Sequence, residues 1–586
     1  LMVKGILKIS QISEFYLSKN KVIAIFLILS CFFSLSLKAE SYAVATRHHL
    51  ATDIGMKVLE EGGNAIDAAV AVAFALAVVN PSAGNLGGGG FMLVHLSEKN
   101  ETFSIDYRER APKKAFEKMF QDNSGNVIKG LSLNSILAVG VPGTVSGMYY
   151  ASEKFGTVDI KSLIKPSINL AKEGFVLSDF QAKNLNKYKQ KFSKNKEAKK
   201  IFTRPDGFSK GDILVQKNLA KTLERISQNG RDEFYLGDTA KRISSFFRLK
   251  GGILSLEDLN EYNLRIIKPV CGTYRYYEIC SMAPPSSGGI ALVQMLNILE
   301  NVDLREFDHN SEEYLRILVS AMDYAYRDRA KYLGDPDFFE VPQDLLTSKK
   351  YAKKIYQLIQ EKKKPSETSI KIIEGEETTH FSIIDKWGNA VSNTYTLNTA
   401  YGSGIIPTGT GILMNNEMDD FSSKPGYANA YGLVGSEANK IEPMKTPLSS
   451  MSPVIVFLDK KPFLITGSPG GSTIITSVLQ EILNVLDFEM SLEESSKKDR
   501  IHFQHLPDIL FYEDLDDTGK YVNLSYSVTD SLSVSYGDYE DVGSDFLISY
   551  GFSCGSYDCS VNYADFSADL DGLDEDSFFF TVSASL

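Results

Sequence analysis

The sequence predicts an α+β fold built as a layered sandwich, and three features carry that reading. Ala65 to Val79 is an Ala/Val-rich run, apolar almost all round, which means a helix buried in a core. His380–Asp385 and Ala390–Leu397 read as two strands joined by the turn Lys386-Trp387-Gly388-Asn389. Helices and strands are otherwise mixed, and with antiparallel hairpins that favours a layered sandwich over a doubly wound sheet.

Taken in order, the chain opens with Lys19, Asn20 and Lys21, then an apolar run from Val22 to Leu37, then Lys38-Ala39-Glu40. This is the pattern of a secretory signal peptide over residues 1–39. A membrane anchor is the alternative, although the run falls short of the ~20 residues that span a bilayer. A helix follows from His49, with Met56, Val58 and Leu59 as its apolar face and Gly62-Gly63 as its end. Asn85-Leu86-Gly87-Gly88-Gly89-Gly90 leads into a buried strand at Phe91–Val94, and Ser311–Tyr332 is helical. Lys187–Lys200 is lysine-rich and reads as a solvated helix face. Strands are expected at Gly411–Met414, Val454–Leu458 and Phe463–Thr466, and a helix at Thr473–Leu486.

Composition narrows the function. Of 586 residues, 43% are hydrophobic and 23% charged, as in a globular protein, and the formal charge of -12 argues against a nucleic-acid partner. Five cysteines are no disulfide framework; Cys271 and Cys280 flank a strand-like segment and can pair, as can Cys554 and Cys559. None has the spacing of a metal site, so neither metal nor cofactor is expected.

Acyl transfer from an amide needs a nucleophile with a base, donors for an oxyanion, and a pocket for the acyl group. Thr378 stands at the head of a strand after the charged stretch Ile373-Glu374-Gly375-Glu376-Glu377. Gly467-Ser468-Pro469-Gly470-Gly471-Ser472 lies between a strand and a helix, where backbone N–H groups point outward. Leu448–Pro453 places hydroxyl donors before a strand, and Asn415–Phe421 clusters carboxylates and amides suited to an ammonium group. Asp106-Tyr107-Arg108-Glu109 offers an arginine able to fork onto a carboxylate.

Together with Gly84–Phe91 and Pro284–Gly289, these segments run collinearly from about Ser41 to Tyr512 and resemble the signature segments of γ-glutamyltransferases. The resemblance implies the N-terminal-nucleophile hydrolase fold, a four-layer αββα sandwich. It also implies self-cleavage between Glu377 and Thr378, leaving Thr378 as an N-terminal threonine whose own amine is the base. Thr396 matches the position that bonds the nucleophile, and Gly470 and Gly471 match the oxyanion amides. Arg108, Ser449 and Ser450 match the contacts to the substrate α-carboxylate; Asn398, Glu417 and Asp420 match those to its α-amino group. Tyr431 lies in the stretch from Phe421 to Gly435 that resembles a lid loop.

The implied protein is a periplasmic γ-glutamyltransferase and hydrolase of glutathione and related γ-glutamyl amides, passing the acyl group to water or an amino acid or peptide. Its large chain would run over residues 40–377 and pair as a heterodimer with a small chain starting at residue 378. The resemblance covers residues 378–512 of that small chain; residues 513–586 are a β-rich tail of different character. There, alternating runs such as Val522, Leu524, Tyr526 and Val528 resemble outer-membrane β-barrel strands, an ordinary meander, or a second coding sequence joined to the first. A membrane is expected only through the signal region or this tail. The alternative functions are a glutaryl-cephalosporin acylase-like amidase and a catalytically dead fusion that does not mature.

Overall fold

The computed structural model describes residues 42–361 and 378–513, and the backbone alone of strand 369–371 and of five strands between residues 522 and 583. The signal region and Glu377 lie outside the described residues, and Cys554 and Cys559 are described by backbone only.

Two antiparallel sheets lie face to face. The first has six strands in the order β1 (Ala43–Ala45), β10 (Thr379–Ile384), β11 (Ala390–Thr396), β2 (Gly89–Leu96), β3 (Glu101–Asp106) and β6 (Arg265–Ile267). The second has four, β13 (Lys461–Thr466), β12 (Val454–Leu458), β8 (Tyr277–Ser281) and β7 (Val270–Tyr274). A short ribbon pairs β4 (Phe175–Val176) with β5 (Ile213–Leu214). A third sheet joins β14 (Ile501–Phe503) and β15 (Leu510–Tyr512) to the parallel β9 (Ser369–Lys371).

The period of two sorts the side chains of β12. Ile455 and Phe457 pack between the sheets against Leu93, Ala390 and Cys280. Val454 and Val456 face the opposite way, into a helical layer that includes Gly288–Leu299, Glu312–Tyr332 and Ile474–Leu486. The outer face of the first sheet is covered by helix Ala65–Val79, all fifteen residues of which are buried. Asn64 and Asp67 form a reciprocal cap at its start, and the Tyr395 hydroxyl donates to Ala73 O at 2.9 Å. Helix, sheet, sheet, helix is the expected α+β sandwich.

Cys271 and Cys280 face each other across β7 and β8 and form a disulfide. Among the described residues no helix is long and apolar enough to cross a membrane. In the tail, β16 (Val522–Thr529), β17 (Leu532–Tyr539), β18 (Gly543–Cys554), β19 (Tyr557–Ala568) and β20 (Glu575–Ser583) pair antiparallel in chain order.

Three expectations fail locally. The buried stripe of helix His49–Glu60 is Ala51, Gly55 and Leu59, with Met56 and Val58 only half-buried. A Cβ on Gly55 would come within 2.7 Å of Val72 Cγ2, so small residues there let two helices approach closely. Gly411–Met414 is not a strand: Gly411 has φ +71° and Met414 makes one isolated bridge, to Gly87. Lys187–Lys200 is not one solvated face either. Helices Lys189–Ser193 and Lys196–Phe202 bury Phe192 and Phe202, and Lys191 Nζ donates to Ala400 O and Gly402 O at 2.8 and 2.6 Å.

Candidate active site

The site opens where the inner faces of the two sheets part. Along β11, Ala390 packs between the sheets, and Ser392 donates to Thr466 O in the second sheet at 3.0 Å. Alternation carries Thr394 and Thr396 onto the same face. Thr378 immediately precedes β10, and its Oγ1 lies 3.0 Å from Thr396 Oγ1. Thr396 Oγ1 also accepts from Asn398 N at 2.9 Å, which fixes that hydroxyl. Thr378 is buried, with φ +66°, a region that costs a β-branched residue backbone strain.

His380, two residues on, is no candidate base. Its Nδ1 bonds Thr394 Oγ1 and its Nε2 bonds Ser382 Oγ, at 2.8 and 2.9 Å. Burial lowers its pKa to about 3, so the ring is neutral and both nitrogens are occupied.

Thr378, Thr396, Asn398, Arg108, Glu417, Asp420, Tyr431, Ser449, Ser450 and Gly471 line one cavity, joined by Arg329. Gly470 and Gly471 have φ +117° and +60°, and among the described residues neither N–H finds an acceptor. They stand at the start of the turn that feeds helix Ile474–Leu486, so the loop presents donors without competing partners. Gly471 is also covered closely: a Cβ there would sit 2.3 Å from Tyr431 Cε1. The Tyr431 hydroxyl donates to Asn398 O at 2.7 Å, and Gln504 Nε2 donates to Tyr431 O at 3.1 Å.

The charged wall is dense. Arg108 is fully buried; its Nη1 lies 2.6 Å from Glu417 Oε1, its Nη2 2.5 Å from Asp420 Oδ2, and its Nε donates to Pro447 O at 2.9 Å. Burial opposes its charge, but Glu417, Asp420 and Glu109 outweigh that and raise its pKa. Burial likewise raises Glu417, to about 8, against the pull of Arg108, and raises Asp420. Glu417 Oε2 and both carboxyl oxygens of Glu109 are buried without a hydrogen-bond partner, although Glu109 Oε2 lies 3.9 Å from Arg108 Nη1. Arg108 thus bridges to the carboxylates expected to face it from across the ligand.

Arg329 has no distinctive sequence context. It lies near the end of helix Glu312–Tyr332, where one arginine among several charged residues carries no local signal. Its place in the cavity wall and its contact with Ser450 Oγ, at 3.2 Å, reveal it. A set of metal-ligand type, Cys271, Glu278 and Cys280, has both sulfurs committed to the disulfide.

The family model described as gamma-glutamyltranspeptidase matches residues 51–538, reaching past Tyr512 into the tail. The chain is 49% identical to the glutathione hydrolase proenzyme of Escherichia coli K12, over 81% of this chain and 83% of that one. It is 43% identical to that of Bacillus subtilis 168, over 78% and 80%. The crystal structure of Helicobacter pylori gamma-glutamyltranspeptidase is 49% identical with a TM-score of 0.53, covering 54% of this chain and 91% of that one. Bacillus halodurans cephalosporin acylase, at 24% identity, shares the fold with a TM-score of 0.70, over 85% and 92%. On the strength of a model that spans most of its length, the chain belongs to the γ-glutamyltranspeptidase family.

Proposed function

We propose that the chain is the precursor of a secreted, self-processing γ-glutamyltransferase and glutathione hydrolase whose nucleophile is Thr378. The observation that carries this is the Thr378–Thr396 hydroxyl pair, 3.0 Å apart, in one cavity with the buried Arg108 and Glu417, the partly buried Asp420 and a free-amide glycine turn.

Maturation begins when Thr378 Oγ1 attacks the carbonyl carbon of Glu377. The C–N bond breaks, the hydroxyl proton passes to the departing amine, and water cleaves the resulting ester. Strain at Thr378 supports this, because leaving the amide relieves it. The new α-amine, with an ordinary pKa of about 7.7–8.0, then takes the Thr378 hydroxyl proton as that oxygen attacks a γ-glutamyl amide. The N–H groups of Gly470 and Gly471 receive the oxyanion. The amine leaves with a proton, and water or an amino acid or peptide amine resolves the ester. Arg108, Ser449 and Ser450 hold the α-carboxylate; Asn398, Glu417 and Asp420 hold the α-ammonium, with Tyr431 as the lid. The gene product is exported to the periplasm and works as a heterodimer of its two fragments.

The acylase alternative fits less well, since a glutaryl group brings no cation for the unpartnered Glu417 Oε2. Turnover of γ-glutamyl-p-nitroanilide against glutaryl-p-nitroanilide tests this. The proposal predicts a preference of at least about 100-fold for the γ-glutamyl substrate, in line with the cost of leaving buried polar groups unpaired. Equal turnover would refute it.

A further inference from the structure

Arg329 is buried, yet its guanidinium makes no ion pair with a described carboxylate. It differs in this from Arg108, which pairs with Glu417 and Asp420 at close range and with Glu109 at 3.9 Å. Its hydrogen-bond partners are two serine hydroxyls: Nε donates to Ser287 Oγ at 3.0 Å and Nη2 to Ser450 Oγ at 3.2 Å. Ser287 in turn donates from Oγ and N to Ser449 O, at 2.6 and 2.8 Å. Ser449 Oγ accepts from Met451 N at 3.0 Å. Each of the two pocket serines therefore has a lone pair filled from inside the protein, and a hydroxyl proton left to give. Asp420 favours the Arg329 charge only at longer range, and a buried cation with no carboxylate in direct contact is costly unless something anionic arrives; Arg329 lines the same cavity as Thr378.

We propose that Arg329 is a positioning residue for substrate carboxylate: it orients Ser450 directly and Ser449 through Ser287, and its charge, which no described carboxylate pairs with directly, is neutralised when the carboxylate binds. The inference rests on the assignment of Ser449 and Ser450 to the α-carboxylate.

A double-variant cycle on the matured protein tests it, using Arg329→Met, Ser450→Ala and both together, with γ-glutamyl-p-nitroanilide as substrate. Each single variant should raise KM at least tenfold while kcat changes less than threefold. The double variant should be no more than threefold worse than the worse single one, because both act through one hydroxyl. Arg329→Lys, which keeps the charge but not the two-point grip, should fall between wild type and Arg329→Met. If Ser450→Ala leaves KM unchanged, the carboxylate assignment fails and this inference with it. If Ser450→Ala raises KM but Arg329→Met does not, or the two effects multiply, the assignment stands and the role of Arg329 is overturned. Should Arg329→Met not mature, Arg329→Lys takes its place in the cycle; failure of both to mature would make Arg329 structural and overturn the proposal.

Discussion

Glu417 shares one oxygen with Arg108 and buries the other unpartnered, and burial holds its pKa up to about 8. Below that pH the free protein carries a proton there; an ammonium ligand favours the carboxylate, so binding must release the proton. Affinity for amino-bearing ligands should therefore rise with pH up to about 8 and then level. L-Glutamate inhibition constants should show this limb, glutarate constants should not, and Glu417→Gln should flatten it; a limb shared by both ligands would count against the assignment. At Gly471, φ +60° and the Tyr431 ring both oppose a side chain. Gly471→Ala should lower kcat by about 10²–10³ with a smaller change in KM, as expected when an oxyanion donor is displaced. Most residue types of this pocket were legible because they sit in distinctive local segments. The partners were not: nothing in the sequence near Arg108 says that it would bridge Glu417 and Asp420, hundreds of residues away, or that Arg329 would join them.

At the scale of elements, one hydroxyl ties the two sheets at the edge of the site. Ser392 Oγ accepts from Val454 N at 2.9 Å and donates to Thr466 O at 3.0 Å. Ser392→Ala strands a buried donor and acceptor, so thermal or denaturant unfolding should show a loss of about 1–3 kcal/mol. No loss would mean that water replaces the hydroxyl. The hairpin of β10 and β11 and the buried helix Ala65–Val79 could be read directly, since their periodicity and turn chemistry are local. Gly411–Met414 could not: its β-like residues never find a ladder, and pairing is decided by distant chain. The lysine-rich stretch misled for a related reason, because what holds Lys191 is a set of carbonyls in the loop after β11.

At the scale of the whole molecule, the two halves of the chain are interleaved. In the first sheet β10 and β11 lie between β1 and β2, and in the second β12 pairs with β8. Every one of those contacts joins residues on opposite sides of the Glu377–Thr378 bond. Cleavage there cuts a connection but no strand pairing, so the two fragments should co-elute in native buffer and separate only on denaturation; native dissociation would contradict this topology. The sandwich was foreseen from helix and strand mixture plus resemblance, but this interleaving is a property of long-range pairing that no local pattern encodes. The central claim, a nucleophile that frees itself, is tested most directly by mass spectrometry of the recovered protein under denaturing conditions, beside a Thr378→Ala control. The prediction is two chains for the wild type, split between Glu377 and Thr378, and one intact chain for the control. A wild type that remains whole, or a control that is cut at the same bond, would contradict it.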